Sequence, residues 1–151
     1  MSNSNMTDDQ RAQELSNARS KKSRYESQKA QKESKYNSNS NKINRLKGTK
    51  RVLEEQKSIA KGGYKSMKNY AKDEANFSNW TDAQRDHTHS TIEGTIVSDY
   101  NSYVDRIDDV LDAVNNEITR LQNENLRLNG DILGLASAIN SLANTIRNLL
   151  N

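Results

Sequence analysis

The stretch YVDRIDDVLDAVNNEITRLQNENLRLNGDILGLASAINSLANTIRNLL, residues 103–150, carries large apolar residues at a helical period. Steps of three and four from Tyr103 reach Ile107, Val110, Val114, Ile118, Leu121, Asn125, Leu128, Ile132, Leu135, Ile139, Leu142, Ile146 and Leu149. Thirteen of these fourteen positions are apolar or aromatic, which predicts one long amphipathic helix with its seam against another helix. Two successive steps of four, Val110 to Val114 to Ile118, predict a stutter that locally unwinds any supercoil. Asn125 is the lone polar seam residue, and a buried amide there is expected to fix register or partner choice.

Beyond Leu126 the apolar face widens, because Leu126, Leu133, Ala136, Ala138, Ala143 and Leu150 join the seam. Either another chain covers this broad stripe or the helix packs it on its own hairpin. The first alternative makes Leu128, Ile132, Leu135, Ile139, Leu142, Ile146 and Leu149 the candidate partner-binding residues.

The rest of the chain supports helices and little else. With 32% apolar residues, no proline and six glycines in 151 residues, there is material for stripes along helices but not for a thick core or many short strands. Most ordinary enzymes are disfavoured on that ground. The absence of cysteine removes disulfides, thiolate metal sites and a thiol nucleophile. No apolar run is long enough to span a membrane, and MSNSNMTDDQ at the start lacks the apolar core of a cleaved signal.

The net charge of +3 hides an asymmetry. Residues 1–75 hold 18 Lys+Arg against 9 Asp+Glu, and residues 76–151 hold 5 against 11. A basic and an acidic arm favour folding back on one another over parallel self-association. The opposing possibility is that both are simply solvated faces.

A weaker seam runs through the basic arm. From Leu15 it visits Ala18, Lys22, Tyr25, Lys29, Lys32, Tyr36, Asn39, Ile43, Leu46, Lys50, Leu53, Lys57, Ala60, Tyr64, Met67 and Ala71 in unbroken heptad register. Its five lysines can lay their methylene stems along the seam and keep their ammonium groups in water. YNSNSN, residues 36–41, is poor helix material. The expectation is a polar, basic, weakly helical or frayed segment over 1–40 and a firm first helix over 41–75.

Residues 76–81 are the expected turn, and 82–151 the second helix. Thr81 and Gln84 fit a capping box, with the threonine hydroxyl on the Gln84 amide and the glutamine reaching back. Phe77 and Trp80, the single Phe and Trp of the chain, are placed to close the hairpin end. The fold class is therefore all-α, a long antiparallel two-helix hairpin of coiled-coil type.

Chemistry finds little support. His87 and His89, two residues apart, point to different sides of a helix and do not make an i, i+4 metal pair, and they read as exposed histidines near a helix start. Asp105, Asp108, Asp109 and Asp112 lack a loop to wrap an ion and read as a face opposing lysines. Gly62-Gly63 is a helix weak point outside any phosphate-loop pattern. The basic segment from Arg19 to Lys35 is diluted by Glu14, Glu26 and Glu33, so no specific nucleic-acid partner is expected. No catalytic, cofactor or metal residues are assigned, and no cofactor is expected.

INRLKGTKRVLEEQKSIAK at 43–61, NW at 79–80 and YNSYVDRIDDVLDAVNNEITRLQNEN at 100–125 together resemble the WxG-type, ESAT-like helical hairpins of type VII secretion. They resemble more closely the YwqH-like small proteins found beside LXG polymorphic toxins in Gram-positive bacteria. Trp80 matches the turn tryptophan, while Asp82 stands where the W-x-G pattern has glycine. Tyr70 and Glu74 have the Tyr-x-x-x-Asp/Glu spacing of an export signal, but they precede the tryptophan where such signals follow the second helix.

The resemblance implies a non-enzymatic targeting factor or chaperone. Its partners would be the helical amino-terminal domain of an LXG toxin, a second small helical protein and the type VII secretion machinery. Its location would be the cytoplasm, or outside the cell by type VII secretion without a cleaved signal. The residues alone also allow a self-associating structural coiled coil, such as a rod or phage component.

Overall fold

The computed structural model describes residues 6–151 and is helical almost throughout. α1 (Asp8–Lys72) is followed by a 3-10 turn (Glu74–Phe77), α2 (Asp82–Thr91), a π-helical turn (Ile92–Ile96) and α3 (Val97–Leu150). The two long helices α1 and α3 pack on each other, as the paired seams require. Two compact units divide the described chain. One holds the part up to Ile43 together with Arg120–Asn151, and the other holds Asn44–Thr119.

α1 runs unbroken through the segment expected to be weakly helical. Its start is fixed at Thr7, whose hydroxyl accepts the Gln10 amide at 3.3 Å while Gln10 Oε1 accepts the Thr7 amide at 3.1 Å. This is a capping box, with Asp8 and Asp9 in the first turn where carboxylates favour the helix dipole. The first five residues of the expected 1–40 segment lie outside the described residues. YNSNSN stays helical because its polar groups find partners: Ser40 donates to the Tyr36 carbonyl at 2.9 Å, and an amide from α3 reaches both residues.

The α1 seam is the one its heptads predict. Of its seventeen positions all but Tyr36, at 37% exposure, are buried or half-buried. On α3 the phase needs one correction. Leu111 is buried, whereas Val110 and Tyr103 stand 47% and 49% exposed. With Leu111 in place of Val110, the covered positions from Ile107 to Leu149 alternate by four and three without interruption. The stutter is therefore absent, because a leucine one residue further on completes the heptad.

In the Asn44–Thr119 unit, Ala71, Phe77 and Ile92 form a buried cluster, with Met67, Ile96 and Val97 packed against it. The π turn explains how Ile92 gets there. A step of four back from Val97 would put Glu93 inside. The Val97 amide bonds to the Ile92 carbonyl instead, so the extra residue turns Ile92 inward and leaves Glu93 exposed. The expected single helix over 82–151 is accordingly divided at this turn. Gly63 belongs to the same unit, and a Cβ there would lie 2.8 Å from the Tyr100 ring.

In the other unit, Lys32 and Lys35 of α1 pair with Asp131 and Glu124 of α3 at 2.7 and 2.5 Å. The Asn125 amide donates to Ser40 Oγ at 3.1 Å and to the Tyr36 carbonyl at 3.4 Å. These cross-helix contacts fix the register in which this part of α1 meets α3. The opposed charges of the arms thus serve the antiparallel pairing through specific ion pairs.

Candidate partner-binding face

At the turn, Asp73 caps the 3-10 segment by accepting the Ala75 amide at 3.1 Å, so the reversal begins three residues before the expected Asn76. Thr81 and Gln84 make the predicted capping box at 3.1 and 3.3 Å. Phe77 and Trp80 divide the labour unequally. Phe77 is 1% exposed and makes T-shaped contacts with Tyr70 and Trp80, ring centroids 5.6 and 5.4 Å away, whereas Trp80 itself remains 43% exposed. His89, expected on the surface, is half-buried with its ring 4.6 Å from Phe77, and its Nε2 is buried without a hydrogen-bond partner. His87 is exposed as expected. Tyr70 is 45% exposed, and Glu74 opens the 3-10 turn.

The carboxyl-terminal face of α3 is the other candidate. Leu128 and Leu149, expected to meet a partner, are 7% and 6% exposed within the chain itself and offer a partner little surface. Ile132, Leu135, Ile139, Leu142 and Ile146 are only half-buried. The composition of α1 gives the physical reason: its seam carries the half-buried Lys22, Lys29 and Lys32 in this unit, and a lysine must keep its ammonium group in water. Lys22 and Lys29 end on Glu26 and Glu33, each at 2.6 Å.

Beside this half-covered seam runs a second row at the same spacing: Leu126, Asn129, Leu133, Ala136, Asn140, Ala143, Arg147 and Leu150. Its three leucines are 72%, 63% and 59% exposed. Gly130 and Gly134 adjoin it, and a Cβ at either would meet nothing within 4 Å, so another helix can approach the backbone closely. Periodicity had marked these leucines as a widening of the face. What it could not supply was which row α1 would cover.

The two flanks of the α1–α3 pair differ here. Lys32–Asp131 and Lys35–Glu124 bridge one flank, and their ammonium groups hold both carboxyls below the usual carboxylate range, Lys35 acting on Glu124 and Lys32 on Asp131. Asn129 and Asp131, two residues apart, face away from one another. On the Asn129 flank lies an open depression of about 340 Å³, lined by Glu33, Tyr36, Asn37, Asn129 and Ile132. That flank carries the second row, with Leu126, Leu133 and Leu150 exposed on it.

The model of the YwqH-like family matches residues 20–144, which takes in most of α1, the whole turn and most of α3. The chain belongs to the YwqH-like family. No curated protein and no solved structure matches it. In this YwqH-like chain the departure from W-x-G at Asp82 has a structural reading. Asp82 is the first residue of a capped helix, and among the described residues none has a positive φ, so no glycine is required there. The carboxylate of Asp82 instead accepts Arg85 at 2.5 Å. Among the described residues of this YwqH-like protein, no helix is long and apolar enough to cross a membrane.

Proposed function

We propose that this chain is a non-enzymatic accessory factor that binds the helical amino-terminal domain of an LXG-type toxin and promotes its type VII secretion. The supporting observation is the exposed row of Leu126, Leu133 and Leu150 beside a seam that lysines leave half-covered. A helix from the partner would complete the apolar layer and shield these leucines from water, which supplies affinity in proportion to area buried. The factor would keep the toxin's own apolar helices soluble until the secretion machinery engages them. Family membership supports the setting, and the apolar face supports the binding role.

Co-expression with an LXG protein encoded next to this chain, followed by affinity capture, tests the reading. A stable complex is expected, and Leu126→Glu with Leu133→Glu should abolish it while helix content by circular dichroism stays unchanged. Absence of any complex, or a complex indifferent to both substitutions, would overturn it.

A further inference from the structure

The second row on α3 has an internal symmetry that its use by a foreign helix does not require. Laid antiparallel against itself about a centre near Ala138, the row places Leu126 opposite Leu150, Leu133 opposite Ala143 and Asn129 opposite Arg147. Each pairing occurs twice, as a two-fold axis demands of an isologous contact. Leucine meets leucine at the ends, and large meets small further in, which suits close interdigitation.

We propose that a second copy of this chain occupies the row, α3 against α3 in antiparallel register. Charge and shape favour this occupant. The register brings Arg147 of the second copy to Asn129, at the mouth of the depression that Glu33 and Asn37 also line. Among the described residues the Arg147 guanidinium donates to the Asn144 side chain, one turn away, at 3.4 Å. The depression is lined by the Glu33 carboxylate, which pairs with Lys29 through Oε1, and by the Asn37 and Asn129 side chains, groups of the kind a planar guanidinium binds. Gly130 and Gly134 leave the backbone open to the approach. The dimer covers the exposed leucines when no other helix does, so a toxin helix and the second copy would compete for one row.

The absence of native cysteine makes the register directly testable on the full chain, without any toxin. In a Leu133→Cys/Ala143→Cys variant the two thiols are about 15 Å apart along one helix and cannot join within a chain. Mild oxidation should therefore yield a covalent dimer, and Leu126→Cys/Ala143→Cys, out of register, should not. By sedimentation, the otherwise unaltered chain should dimerise, Arg147→Glu should weaken the dimer roughly tenfold, and adding Glu33→Arg should restore it. A strictly monomeric chain, equal cross-linking by both cysteine pairs, or no recovery by the charge exchange would overturn the proposal. None of these outcomes bears on whether an LXG partner binds.

Discussion

Asn125 of α3 donates its side-chain amide to Ser40 Oγ of α1 at 3.1 Å, joining the only polar position of the α3 seam to the YNSNSN stretch of α1. Asn125 is 8% exposed, and its Oδ1 is buried without a partner. One seam amide therefore meets a serine and a backbone carbonyl while leaving an acceptor unsatisfied. Such a residue restricts pairing more than it stabilises it.

Asn125→Leu is accordingly expected to raise the free energy of unfolding by about 1 kcal/mol, since it removes a desolvated acceptor and adds apolar burial. Urea denaturation checks the magnitude. A loss of stability greater than about 1 kcal/mol would mean that the amide network contributes net stability.

The adjacent glycines of α1 should respond with opposite signs. At Gly62 an added methyl meets nothing within 4 Å, so Gly62→Ala should stabilise by about 0.5–1 kcal/mol through helix propensity. At Gly63 the same methyl would lie 2.8 Å from Tyr100 Cε1, and Gly63→Ala should destabilise by about 1–3 kcal/mol. Thermal melts of both variants, and of Gly63→Ala in a Tyr100→Ala background where the penalty should vanish, decide the point.

At the turn, the residue that carries stability is Phe77 rather than the tryptophan. Phe77→Ala should cost about 3 kcal/mol, because the ring is fully buried among Tyr70, Trp80 and His89. Trp80→Ala should cost about 1 kcal/mol, the worth of an edge-on aromatic contact at a half-exposed site. Equal losses in chemical denaturation would contradict this division.

Acid should loosen the unit that contains Glu124 and Asp131. Lys35 and Lys32 lower these carboxyl pKa values in the folded chain. Their contribution is therefore complete above the ordinary carboxylate range of about 4 and is lost as pH falls through the lowered values. Between about pH 6 and pH 3 the melting temperature of the unaltered chain should fall further than that of Glu124→Gln/Asp131→Asn. The difference is expected to be small and to shrink in salt, as surface pairs are screened. A double variant that loses as much as the unaltered chain would exclude these two carboxyls.

Helical class, the seventeen-position seam of α1 and the Thr81–Gln84 cap were legible in the sequence because each rests on local spacing. The same spacing also marks the start of α1. Thr7-Asp8-Asp9-Gln10 repeats the pattern of Thr81-Asp82-Ala83-Gln84, and it begins a helix that the polar composition of residues 1–40 obscured.

The heptads determined that two long helices would pair, because a repeat of 3.5 residues can bury itself only against another helix. Tertiary structure decided what two apolar neighbours left open. Val110 and Leu111 both suit a seam, and only packing against α1 selected the leucine. Likewise Leu126, Leu133 and Leu150 look like core residues in the sequence. They lie outside because α1 is one helix wide, covers one row of α3, and lines that row with lysine where its own apolar residues run out.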